Sequence, residues 1–121
     1  MKVMVVDDEE EIIELVENML GAEGIEVVGA LSGKECLKKI KREKPDFIFL
    51  DIMMPEMDGW ETLNRIKEDE ELKDIPVAMF TVKPLTSNVL RREEIEKIVD
   101  YVTKPFSKED LLEVIRQVID F

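Results

Sequence analysis

Histidine is absent from the 121 residues, and that absence excludes more chemistry than any other feature of the composition. The chain can offer no imidazole metal ligand, no Ser-His-Asp triad and no phosphohistidine of its own. Any general base must be a carboxylate, a water or a group on a partner. Cysteine occurs once, at Cys36, so no internal disulfide can form. That thiol falls near Leu37 and Ile40 in a helical pattern, which reads as a buried structural residue. No apolar run approaches the ~20 residues that span a bilayer, and no signal-peptide layout opens the chain. A cytoplasmic protein without membrane contact is therefore expected. No Gly-rich phosphate loop follows the first apolar run, which disfavours a nucleotide-binding switch. Positive charge is also short: 17 Lys and Arg stand against 29 Asp and Glu, for a net charge of −12. That balance argues against direct binding to nucleic acid or an anionic membrane, and favours divalent cations and basic partner surfaces.

What is present alternates strand and helix from end to end, without repeats, linkers or low-complexity segments. The length suits one domain over residues 1–121. Apolar runs at Lys2–Val6, Glu26–Gly29, Asp46–Leu50, Val77–Phe80 and Tyr101–Thr103 read as strands. Ile12, Ile13, Val16, Met19 and Leu20 recur at helical spacing, and Gly24 reads as the residue closing that helix. Ser32 with Glu35, and Ser107 with Asp110, are capping-box signatures opening two further helices. Trp60, Leu63 and Ile66 mark another. The stretch Val82–Asp100 is harder to read, with Pro84 near its start, and is expected to carry a helix of uncertain bounds. Five βα units around a parallel sheet is the economical reading: an α/β domain with five helices.

Four of the apolar runs end on chemistry. Asp7 and Asp8 follow the first, Asp51 follows the third and Thr81 the fourth; Thr103-Lys104 closes the fifth. Ligands of parallel α/β sheets bind at the carboxyl edge of the strands, so these groups converge there. Two unit charges about 4 Å apart at an effective dielectric of ~20 repel by roughly 4 kcal/mol, so gathered carboxylates share protons or bind a cation. Oxygen-only donors select Mg2+ or Mn2+ over zinc. An aspartate can also act as a nucleophile toward phosphorus, and Asp51, alone at the end of the central strand, is the candidate. Asp7 and Asp8 would hold the metal beside it. Lys104 would supply a second cation, and Thr81 a hydrogen bond to a phosphoryl oxygen.

These residues carry a resemblance. Val5-Val6-Asp7-Asp8, the stretch from Leu50 to Gly59 (LDIMMPEMDG), Phe80-Thr81 and Thr103-Lys104-Pro105-Phe106 are similar to the receiver domain of two-component response regulators, of the stand-alone CheY-like kind. The resemblance covers the whole chain. It implies a doubly wound, flavodoxin-like α/β fold with a sheet of order 2-1-3-4-5, and phosphorylation of Asp51 by a sensor histidine kinase or phosphotransfer protein. It further implies Mg2+ held by Asp8, Asp51 and the Met53 carbonyl, with Asp7 completing the pocket through metal-bound water. Lys104 would contact the phosphoryl group, and the Lys104–Pro105 bond would be cis. Thr81 and Tyr101 would form a switch acting on the face of the fourth helix, fifth strand and fifth helix. No second module is legible in the chain, so output is expected through protein contacts, as a monomer or a phosphorylation-dependent dimer.

The chain departs from the family pattern in places. Val82 follows Thr81 where a small residue is usual, and Lys83 follows it; with Met53, these are expected to tune access to the acceptor. Lys97-Ile98 replaces the usual Gly-Ala before the switch aromatic. Two rivals remain: a degenerate receiver acting as a phosphorylation-independent interaction module, and an aspartate-nucleophile phosphatase of the haloacid dehalogenase type. The phosphatase would need a general acid two residues after Asp51, where Met53 has no proton to give.

Overall fold

The computed structural model describes residues 1–82 and 95–121. Its elements are β1 (Lys2–Val6), α1 (Glu10–Gly21), β2 (Glu26–Ala30), α2 (Gly33–Glu43), β3 (Phe47–Asp51), α3 (Gly59–Glu68), β4 (Val77–Thr81), β5 (Tyr101–Thr103) and α4 (Lys108–Arg116). All five expected strands form, in one parallel sheet of order β2-β1-β3-β4-β5. The apolar runs do this because every position of β3 and β4 is buried, which leaves no solvent face to alternate with.

Side chains alternate between two cores. Val3, Val5, Phe49, Ala78 and Phe80 pack with Ile13, Val16 and Leu20 of α1 and with Leu111 and Ile115 of α4. Met4, Val6, Ile48, Leu50 and Met79 pack with Cys36 and Ile40 of α2 and with Leu63 and Ile66 of α3. A file of aromatic rings runs across the first core: Phe49 stacks on Phe80 at 5.1 Å and Phe80 on Phe106 at 4.9 Å. It ties the centre of the sheet to the loop after Lys104.

Helix ends follow their caps. Ser107 accepts from the Asp110 amide while the Asp110 carboxylate accepts from the Ser107 amide, a complete capping box. At α2 only half of that pattern forms: Ser32 accepts from the Glu35 amide, but the Glu35 carboxylate reaches back to the amide of Leu31. Gly24 closes α1 as expected: beyond the last helical residue, Gly21, the Gly24 amide donates to the Gly21 carbonyl at 3.0 Å and the Ile25 amide to the Leu20 carbonyl at 3.1 Å. Gly24 sits in the turn into β2 at φ +77°, a left-handed conformation that glycine adopts without strain. Four helices are present among the described residues. Most of the expected fourth helix, and Lys83 with it, falls on 83–94, outside the described residues. Among the described residues no helix is long and apolar enough to cross a membrane.

Candidate functional site

The carboxyl edge of the sheet gathers the acidic residues. Asp51 and Thr81 are the last residues of β3 and β4, and Asp7 and Asp8 follow β1 directly. Asp7 is wholly buried and fixed on all sides. Its amide donates to the Ala30 carbonyl at 3.0 Å, its Oδ1 accepts from the Glu9 amide at 2.9 Å, and its Oδ2 accepts from Lys104 Nζ at 2.7 Å. Asp51 is 6% exposed; its Oδ2 lies 3.6 Å from the same Lys104 Nζ, and its Oδ1 accepts from the Met53 amide at 3.4 Å. Asp8 stands in solvent at the rim. One carboxylate oxygen from each of Asp7, Asp8 and Asp51 lies within 4.8 Å of the others.

Lys104 comes from the opposite side of the site. Its amide donates to the Thr81 carbonyl at 2.8 Å, which registers the β5 end against β4. Its ammonium sits 5.9 Å above the Phe80 ring. The Lys104–Pro105 bond is cis, as expected. Burial opposes the charge of Lys104, yet the hydrogen bond and charge of Asp7, with Asp51 and Glu9, hold its pKa above the ordinary lysine value. For Asp51 the balance goes the other way. Burial and then the Asp7 charge push its carboxyl up to about 6, against the opposing pull of Lys104 and the Met53 amide. One ammonium thus leaves the carboxylates under-compensated. Three oxygen donors within reach of one another, without nitrogen or sulfur, fit a hard divalent cation.

The remaining expected residues surround this centre at different depths. Thr81 is 9% exposed at the end of β4. Met53 and Val82 flank the site as largely exposed side chains, at 73% and 63%. Tyr101 is half-buried and packs against the core on the α3 side, away from the carboxylates. Gly59 was not singled out by its sequence context. Its amide donates to the Ile52 carbonyl at 2.8 Å, and a Cβ there would overlap the Asp51 carbonyl oxygen and come 2.8 Å from Ile52 Cα. A glycine at the first position of a helix already capped by Asp58 was the one hint of this close approach. Lys97 also lies apart from the carboxylates, and donates from its ammonium to Asn64 Oδ1 on α3 at 2.7 Å.

Comparison with known proteins identifies the family. Residues 3–116 match the family model of the response regulator receiver domain. Protein PilG of Pseudomonas aeruginosa is 39% identical over 96% of this chain and 85% of its own length. The alkaline phosphatase synthesis transcriptional regulatory protein PhoP of Bacillus subtilis is 38% identical over 91% of this chain; the match spans 45% of that protein. Among solved structures, the chemotaxis protein CheY4 of Vibrio cholerae superposes with a TM-score of 0.87 at 30% identity, covering 98% of each chain. The chain belongs to the response regulator receiver domain family of two-component systems.

Proposed function

We propose that this receiver domain is a phosphoacceptor in which Asp51 takes a phosphoryl group from a phosphohistidine on a sensor histidine kinase or a phosphotransfer protein. The observation that carries this reading is the shared ammonium: Lys104 lies 2.7 Å from Asp7 and 3.6 Å from Asp51, inside a three-carboxylate cluster. An Asp51 oxygen attacks phosphorus, the new O–P bond forms, the P–N bond of the donor breaks, and the imidazole leaves. Lys104 keeps a positive charge where phosphoryl oxygens arrive. The Thr81 hydroxyl donates to one of those oxygens. Asp8, Asp51 and the Met53 carbonyl would hold Mg2+, or Mn2+, with Asp7 behind them. Bound there, the ion offsets the repulsion between carboxylates and incoming phosphate.

Phosphorylation offers the Thr81 hydroxyl a new acceptor, a phosphoryl oxygen, and that differential contact biases the conformation of the surface carrying Tyr101. That surface, around β5 and α4, would bind the downstream protein. Met53, Val82 and Lys83 tune access of water and donor to Asp51. The domain is a signalling acceptor that promotes only its own phosphorylation and dephosphorylation.

Incubation with acetyl phosphate, with Mg2+ or with EDTA, followed by intact mass measurement, tests this. The expected result is one added phosphoryl group, dependent on Mg2+ and lost in Asp51→Asn. Steady release of phosphate without a persistent adduct would support the phosphatase reading. Absence of any reaction would support the degenerate one.

A further inference from the structure

The β2–α2 connection touches both halves of the carboxylate cluster. At its start the Ala30 carbonyl accepts from the Asp7 amide at 3.0 Å. At its end Gly33, the first residue of α2, is buried against the loop that follows Asp51. A Cβ on Gly33 would overlap Thr62 Oγ1 and come 3.1 Å from Met57 Sδ. Met57 belongs to that loop, and Thr62 closes it. The Asp58 carbonyl accepts from the Thr62 amide at 3.1 Å and from the Thr62 hydroxyl at 2.9 Å. The adjacent Gly59 amide holds the Ile52 carbonyl, one residue from the acceptor. The start of α2 thus enters a notch whose far wall is the acceptor loop.

We infer that Gly33 is a positioning residue for the phosphoryl site, keeping the Asp51 loop at its spacing from the end of β1. The inference rests on the phosphoacceptor reading above and adds a residue to it. Neither wall of the notch yields freely. On the α2 side, Ser32 Oγ accepts from the Glu35 amide at 3.0 Å and the Glu35 carboxylate from the Leu31 amide at 2.9 Å, which pins the helix start. On the loop side, Met57 is flexible, but Thr62 is β-branched and wholly buried. Turning its hydroxyl aside gives up the bond to Asp58 in a place closed to water. A side chain at position 33 therefore moves Thr62, and Asp58 and Gly59 move with it. Gly59 rests on the Asp51 and Ile52 backbone, so the displacement reaches the acceptor and the loop that carries the Met53 carbonyl. Glycine is the residue that leaves the notch open.

Two quantities test this: the Mg2+ dissociation constant by titration calorimetry without phosphodonor, and the rate of phosphoryl uptake from acetyl phosphate at saturating Mg2+. All proteins are measured in trimethylamine oxide, which favours the folded state of an overpacked variant, and urea unfolding gives the folded fraction. Gly33→Ala should raise the Mg2+ dissociation constant about threefold and slow uptake about tenfold, through misplacement of the acceptor loop. In a Thr62→Ala background the same substitution should change each by less than about twofold, because the overlapped atom is gone. Gly21→Ala adds the same methyl group where nothing lies within 4 Å, and should match wild type in both. Wild-type values in folded Gly33→Ala, or an equal loss in both backgrounds, would overturn the positioning role while leaving the Asp51 reading intact. So would a Gly33→Ala protein that stays unfolded in this solution, the mark of a purely structural glycine. Failure of the wild type to take up phosphate would instead overturn the Asp51 reading, and the role of Gly33 with it.

Discussion

Asp51 is a carboxyl held in an unfavourable place, and the consequences for stability follow from sign. Its pKa is raised to about 6 by burial and by Asp7, above the unfolded value. A carboxyl with a raised folded pKa destabilises the fold once it ionises there, fully above about pH 6 and not at all below the unfolded value near ~4. Asp51→Asn should therefore stabilise the protein in EDTA at pH 7.5 by about 2 kcal/mol, and the gain should vanish as the pH falls to about 4. Urea unfolding across that pH range measures it. Lys104 carries the opposite prediction. Its partner Asp7 is wholly buried, so Lys104→Met strands a charge in the interior and should cost about 3 kcal/mol in EDTA.

At this scale the sequence disclosed Asp51 and Thr81 because each closes an apolar run, which marks the edge of a buried strand. The apolar pattern did not say which of Asp7 and Asp8 is buried. One is sealed beneath the Glu9 amide and Lys104, and the other stands in solvent. Only the packing of strand five against strand four decides which of the two meets the ammonium.

The elements divide in the same way between local and remote causes. Ser107 and Asp110 lie three residues apart and complete their capping box without help from the rest of the fold, so the start of α4 was legible. Ser107→Ala should lower stability by about 1 kcal/mol, measured by thermal or urea unfolding. Gly24 was assigned to the end of α1 because glycine commonly occupies that place. It does close the helix there, left-handed at φ +77°, with its amide on the Gly21 carbonyl and the Ile25 amide on the Leu20 carbonyl. Gly59 closes the LDIMMPEMDG stretch, but its packing role was not legible there because the requirement is tertiary: α3 sits on the backbone of Asp51 and Ile52. Gly59→Ala should cost about 2 kcal/mol or more by overpacking, and slow phosphoryl uptake by displacing the Asp51 loop. A variant that takes up phosphate at the wild-type rate would mean that this contact has no part in placing the acceptor.

Across the whole molecule, alternation of buried strands and amphipathic helices predicts an α/β fold with a parallel sheet, and the order β2-β1-β3-β4-β5, which the family resemblance implied, brings β1 and β3 side by side. That adjacency is what turns carboxylates 43 or more residues apart into one cluster. Gathering them in a chain of net charge −12 leaves an electrostatic deficit that a divalent cation would remove. Mg2+ at about ten times its dissociation constant should raise stability by about 1.4 kcal/mol, an effect lost in Asp8→Asn with Asp51→Asn.

The central claim is that the oxygen receiving phosphate belongs to Asp51. Borohydride reduction of the phosphorylated protein converts an aspartyl phosphate to homoserine, and peptide mass mapping then locates it. The account predicts homoserine at position 51 alone. Homoserine at position 7 or 8, or unmodified aspartate at 51 in a protein that has gained phosphate, would contradict it.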